Sequence, residues 1–235
     1  NELSHYAAQG YNRVAITHRV LADLDTPLSA YLKLAAKPFS YLLESVEGGE
    51  KWGRYSIIGL PARTVIRAVK NEISISYDGQ VTERAGNSDP YLFVREFLGR
   101  FKVPVDDEMS RFAGGLVGYF GYDTVRYVEP KLANSAPRET LLTPDICLML
   151  SDEFVVFDNL KGEIQFVCYV DPADPDAVAS ADAKLVSLTE QLNRPIPIPL
   201  DNSIATDNRE PEFASEFGHD EFVNCVDKIK QYIVD

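Results

Sequence analysis

A carboxylate beside a hydroxyl, Glu44-Ser45, follows the apolar run Tyr41-Leu42-Leu43. At the end of a strand that pair suits a small ligand carrying an ammonium group: the carboxylate pairs with the cation and the hydroxyl donates or accepts a hydrogen bond. The plainer reading is that polar residues at a strand end satisfy backbone groups of the turn that follows. Lys51 and Arg54 stand near Glu44 and Glu47 in sequence, as ligand contacts or, more commonly, as surface ion pairs. Other chemistry is sparse. His5, His18 and His219 have no His, Cys or acid at metal-ligand spacing. Asp106-Asp107-Glu108 is most simply a solvated loop, because nothing turns its three carboxylates toward one ion. The chain has no GxSxG, HExxH or GxxxxGK[ST] motif.

The elements that would position Glu44 and Ser45 are two short apolar runs around Gly48-Gly49, with Trp52, the chain's one tryptophan, in the connection. The second run spans Arg54 to Ile58, so residues 41–59 read as a β-hairpin with a long loop. Further strands are expected at 42–45, 55–59, 64–69 and 73–77, with tight turns at Lys70-Asn71 and Asp78-Gly79. Consecutive strands joined this way make an antiparallel sheet. A second strand pair is expected at 146–150 and 153–157, turning at 158–162 and returning over 164–170.

Helices are expected where capping residues precede apolar residues at helical spacing. Residues 1–40 read as helical in parts, weakly at 7–11, then clearly after Asp25-Thr26-Pro27, with Leu28, Tyr31, Leu32, Leu34 and Ala35 on one face. Asp89-Pro90 opens another, and the Pro/Asp turn at 171–176 caps a third, whose stripe is Val178, Ala181, Leu185, Leu188 and Leu192. Residues 112–129 carry Gly114, Gly115, Gly118 and Gly121 among apolar and aromatic residues. Their spacing is not that of a phosphate loop, and glycine in β-prone sequence usually permits a bend or close backbone packing. Asp123 and Arg126 are three apart and can pair on a helical turn.

Composition narrows the function classes. Twenty-three Lys and Arg against 36 Asp and Glu give a formal net charge of −13. That opposes nucleic-acid binding and docking on anionic membrane. No apolar run approaches the length of a membrane helix, and the first twenty residues lack a signal-peptide core. Cys147, Cys168 and Cys225 are too widely spaced for a CxxC site and read as reduced, buried thiols of a cytoplasmic protein. Residues 194–212 read as a proline-rich, then polar, linker. The final helix carries Phe222, Val226, Ile229 and Ile233 on one face and has no stop signal, which is read as a protein continuing past residue 235. The start at Asn1 rather than Met is read as a trimmed end.

Leu42-Leu43-Glu44-Ser45, with Gly-Arg-Tyr-Ser-Ile-Ile-Gly at 53–59, resembles the N-terminal region of the anthranilate synthase large subunit. The segment from Phe112 to Asp123, with Arg126 and Glu129, is similar to that family's glycine- and aromatic-rich core segment, and Pro144-Asp145 leading into a hairpin also fits. The resemblance covers essentially the whole chain. It implies an α+β fold of antiparallel β-sheets flanked by helices, the N-terminal part of the anthranilate synthase or aminodeoxychorismate synthase type. It implies an N-terminal regulatory domain over 1–200, a linker at 201–218, and at 219–235 the first helix of a truncated chorismate-binding catalytic domain. The implied activity of the complete protein is conversion of chorismate and an amino donor to anthranilate and pyruvate in tryptophan biosynthesis. Mg²⁺ is implied as the cofactor clamping the chorismate carboxylates, and a glutamine amidotransferase subunit as the partner supplying ammonia. The catalytic and metal-binding residues are implied to lie outside these 235 residues, leaving the fragment inactive alone. Glu44 and Ser45 are implied to belong to an allosteric site where L-tryptophan exerts feedback inhibition. The rival within the family is the aminodeoxychorismate synthase subunit of the folate pathway; the rival outside it is a stand-alone amino-acid-binding module.

Overall fold

The computed structural model describes residues 2–44, 53–86, 89–104, 112–132, 143–196, 214–215 and 217–234. The chain divides into two compact units, Asn1–Pro197 and Ile198–Asp235.

The first unit is α+β, with two five-stranded antiparallel sheets. Sheet A contains β1 (Val14–Leu21), β2 (Tyr41–Leu43), β3 (Tyr55–Gly59), β9 (Glu153–Asp158) and β10 (Glu163–Val170), in the order β1-β10-β9-β3-β2. Sheet B contains β4 (Thr64–Val69), β5 (Glu72–Tyr77), β6 (Gln80–Gly86), β7 (Gly115–Phe120) and β8 (Ile146–Ser151), in the order β6-β5-β4-β8-β7. The chain crosses between sheets twice, from β3 to β4 and from β8 to β9. The 146–157 run is thus two strands of different sheets, broken at Ser151-Asp152. Residues 42–45 shorten to a strand ending at Leu43, and β1, which local pattern does not announce, forms the far edge of sheet A.

Helices α1 (Glu2–Ala8), α2 (Pro27–Leu34), α3 (Pro90–Leu98), α4 (Val125–Val128) and α5 (Ala177–Leu192) complete the unit. The expected starts are real caps. Thr26 and Ser29 form a reciprocal capping box on α2, and the Asp89 carboxylate accepts from Tyr91 N–H at the head of α3. At α5 the turn is stitched differently: Asp176 makes no side-chain cap, and Asp171 and Asp174 accept from the backbone N–H groups of Ala173 and Asp176.

Apolar alternation puts the core on one face of each sheet. Ile58, Val155, Phe157, Ile164 and Phe166 of sheet A pack with Ala30 and Leu34 of α2 and with Ala181, Leu185, Leu188 and Leu192 of α5. Ile66, Ala68, Ile73, Ile75, Ile146 and Leu148 of sheet B pack with Phe93 and Phe97 of α3. A smaller cluster, Phe154, Val156 and Val167 with Phe112, Tyr55 and Tyr169 against it, occupies the other face of sheet A.

In the second unit, helix α6 (His219–Val234) has no buried residue, and Phe222, Ile229 and Ile233 are exposed. Most of the expected linker lies outside the described residues. Among the described residues no helix is long and apolar enough to cross a membrane. The thiols depart from the expectation of uniform burial: Cys168 is buried, Cys147 half-buried and Cys225, on α6, exposed. Burial pushes the Cys168 thiol up to about 11.

Candidate functional site

The hairpin expected at 41–59 forms. Tyr41, Leu42 and Leu43 pair with Gly59, Ile58 and Ile57. β2 is three residues long, lies at the edge of sheet A and, among the described residues, is paired on one side only. Leu43 is half-exposed and Glu44, the next residue, is exposed. Ser45, Glu47, Gly48-Gly49, Lys51 and Trp52 lie outside the described residues, as does Asp106-Asp107-Glu108. The structure therefore places Glu44 at the end of an edge strand, at the mouth of the hairpin.

Charge holds the base of the hairpin. Arg54 donates to both Asp158 carboxylate oxygens, from Nε at 2.9 Å and from Nη2 at 2.6 Å, and its guanidinium stands 4.8 Å from the Tyr55 ring centroid. Asp158 Oδ1 also accepts from the Leu160 and Lys161 N–H groups. Arg54 thus serves as an ion-pair residue joining β3 to β9. Its hydrogen bonds hold the Asp158 carboxyl below the usual range.

The opposite end is held by shape. The Tyr41 ring covers Gly59, where a Cβ would lie 1.9 Å from Tyr41 Cε1. The Tyr41 hydroxyl shares a 2.6 Å hydrogen bond with Ser151 Oγ, at the corner where β8 becomes β9. Ser151 also pairs with Gly115, and a Cβ on Gly114 would meet the Ser151 carbonyl oxygen at 2.6 Å. Gly114 has φ of +79°, a conformation that glycine adopts without a Cβ penalty. Further along β7, a Cβ on Gly118 would sit 2.0 Å from the Cys147 carbonyl oxygen. The glycine-rich segment is thus a strand packed tightly on β8, as its composition predicts. Tyr169 anchors its start by donating from its hydroxyl to the Ala113 carbonyl.

The two motifs that stand out in sequence, around Glu44 and around Gly114, therefore meet at Ser151. Sequence reasoning missed Tyr41 and Ser151, which lie 110 positions apart; the single local signal was an aromatic opposite a glycine across the hairpin. Beside the corner, burial and then the neighbouring Glu153 charge push the Asp152 carboxyl above its usual range. Ser56 Oγ, buried without a partner among the described residues, is on the helix-covered face with Phe157, away from the Tyr41 ring. After the glycine strand, Asp123 and Arg126 pair at 2.9 Å as expected, and Arg126 donates to the Leu132 carbonyl. The Tyr127 hydroxyl lies 2.5 Å from the Lys70 carbonyl oxygen and 2.7 Å from Asp145 Oδ2, sharing its one proton between them and tying that helical turn to the β4–β5 turn. Among the described residues no three His, Cys, Asp or Glu side chains gather as a metal site.

The chain belongs to the family of chorismate binding enzymes, whose sequence profile matches residues 41–235. Among its relatives, anthranilate synthase component 1 of Pseudomonas aeruginosa is 51% identical over 99% of this chain and 48% of its own length. That of Neisseria gonorrhoeae is 46% identical over 99% of this chain and 47% of its own length. Among solved structures, anthranilate synthase component I from Streptococcus pneumoniae aligns with TM-score 0.50 and 25% identity, over 77% of this chain and 38% of the other. The chain spans about half the length of the curated relatives it matches.

Proposed function

We propose that these residues are the N-terminal part of an anthranilate synthase large subunit, which converts chorismate and ammonia to anthranilate and pyruvate. The observation that carries this reading is 51% identity to a protein of that name along almost the whole chain. The names of the relatives favour the anthranilate branch over aminodeoxychorismate synthesis. In this reading residues 1–200 form a regulatory domain, 201–218 a linker and 219–235 the opening helix of the catalytic part. A glutamine amidotransferase subunit supplies ammonia, and the assembly works in the cytoplasm. Mg²⁺, when bound, screens and orients the chorismate carboxylates; the described residues offer no gathered ligand set, so none of them is assigned to it.

The hairpin's task is regulation. Glu44 takes the α-ammonium of L-tryptophan and Ser45 its polar neighbourhood, while apolar surface such as half-exposed Leu43 receives part of the indole. Exposure of Glu44 at a strand end supports this, since an accessible, solvated carboxylate can exchange water for an ammonium. Inhibition is then a coupling free energy between this site and the chorismate site.

The test uses the protein containing this chain, assayed with chorismate and ammonia across a tryptophan titration. Anthranilate should form, and Ser45→Ala should raise the half-inhibitory tryptophan concentration by about tenfold, the scale of a hydrogen bond to a charged ligand. Formation of 4-amino-4-deoxychorismate would move the protein to the rival branch, and unchanged inhibition would remove Ser45 from the site. The 235 residues alone should consume no chorismate. Tight tryptophan binding by that chain alone in calorimetry would favour a stand-alone module.

A further inference from the structure

The segment leading into Glu44 touches both crossings between the sheets. Phe39, at φ of +61°, accepts the Ala62 N–H at 2.8 Å on the β3–β4 crossing, and the Arg67 guanidinium lies 5.1 Å from its ring centroid. Two residues later Tyr41 reaches Ser151 on the β8–β9 crossing. Ser151 is 4% exposed, so its hydroxyl has little water to turn to if the bond is lost. The start of β2 is thus fastened to both corners, whereas its end, at Leu43 and Glu44, is exposed.

Three residue pairs on one side are weak guidance for an edge strand, which can shift or fray. A ring seated on a glycine, with its hydroxyl on a buried serine, supplies the missing constraint. We infer that Tyr41 is a positioning residue for the Glu44 site: its bond to Ser151 sets where β2 ends and couples occupancy of that site to the β8–β9 corner. The inference rests on Glu44 sensing an amino acid. The coupling needs a contact with discrete made and broken states, which a single short hydrogen bond to a buried partner provides. The simpler alternative is that the ring only fills space and the hydroxyl only satisfies Ser151.

Tyr41→Phe separates the two, because it keeps the ring and deletes the bond. In the protein containing this chain, anthranilate formation is measured against tryptophan concentration, with each variant referred to its own uninhibited rate. Tyr41→Phe and Ser151→Ala should each raise the half-inhibitory concentration about three- to tenfold, the scale of one hydrogen bond. The double variant should go no further than the larger single effect, since both remove one interaction. Ser151→Thr, which keeps a hydroxyl, should retain most of the sensitivity, and Tyr41→Phe alone carries the deletion if Ser151→Ala folds poorly. Glu44→Gln should weaken inhibition in parallel. If Glu44→Gln does so while Tyr41→Phe and Ser151→Ala do not, the positioning role is overturned and the sensing role survives. Additive effects of the two singles also overturn it. If Glu44→Gln leaves inhibition unchanged, both fall.

Discussion

The strands that carry Glu44 are fastened differently at their two ends. At the Ser151 corner the fastening is steric: Tyr41 fits over Gly59, and the backbone at Gly114 approaches Ser151 closely enough to leave no room for a Cβ. At the Asp158 end it is ionic, with Arg54 on both carboxylate oxygens and two backbone N–H groups on one of them. A steric joint depends on volume and is indifferent to pH. An ionic joint tolerates changes of shape but answers to protons and salt. The steric joint thus lies at the crossing between sheets and the ionic one at the Arg54 end of the hairpin.

The comparison breaks most severely at Gly114. Gly114→Ala places a Cβ 2.6 Å from a backbone oxygen that no rotamer change can move, at a φ of +79° that alanine resists. Overpacking and backbone strain together should cost about 3 kcal/mol, read as a lower midpoint in urea denaturation. A loss below about 1 kcal/mol would show that the corner yields and is not a rigid joint.

Gly59→Ala is a milder version of the same experiment. Its Cβ meets a side chain, the Tyr41 ring at 1.9 Å, and a ring can swing away. The expected cost is about 1–2 kcal/mol, with the Ser151 bond lost as the ring leaves. Combining it with Tyr41→Ala should cost less than the two singles added, because the clash needs the ring. Full additivity would mean that the contact between ring and glycine contributes nothing.

Much of this was legible in sequence, and the remainder shows where legibility ends. The β2–β3 hairpin, the β4–β5 and β5–β6 turns and the caps of α2 and α3 follow from residues within a few positions of one another. β1 escaped because it is an edge strand with His18 and Arg19 in its exposed middle, so its apolar alternation is interrupted. The division of 146–157 between two sheets also escaped: alternation tells a strand which face is apolar, not which sheet it joins. Of the site, Glu44 was visible as a residue type at a strand end. Its anchoring through Tyr41 was not, because the contact with Ser151 spans more than a hundred residues and no local pattern encodes it.

The smallest effects test the pH side of the comparison, at the two ends of β9. Asp158 is held below its ordinary range, chiefly by its hydrogen bonds to Arg54, so its contribution is present above the unfolded-state carboxyl pKa and is lost as pH falls through the lower folded value. Asp152, at the corner end, is shifted the other way by burial, so its ionised form disfavours the fold at neutral pH, and that penalty vanishes once it is protonated. Denaturant titrations from neutral pH into acid should therefore give opposite signs. Asp158→Asn should lower stability near pH 7, and Asp152→Asn should raise it. The Asp152 difference should fade as pH falls to the ordinary carboxylate value, about pH 4, and the Asp158 difference only at lower pH still. Two losses of equal size would show that Asp152 is held by a favourable partner and that β9 is ionically fastened at both ends.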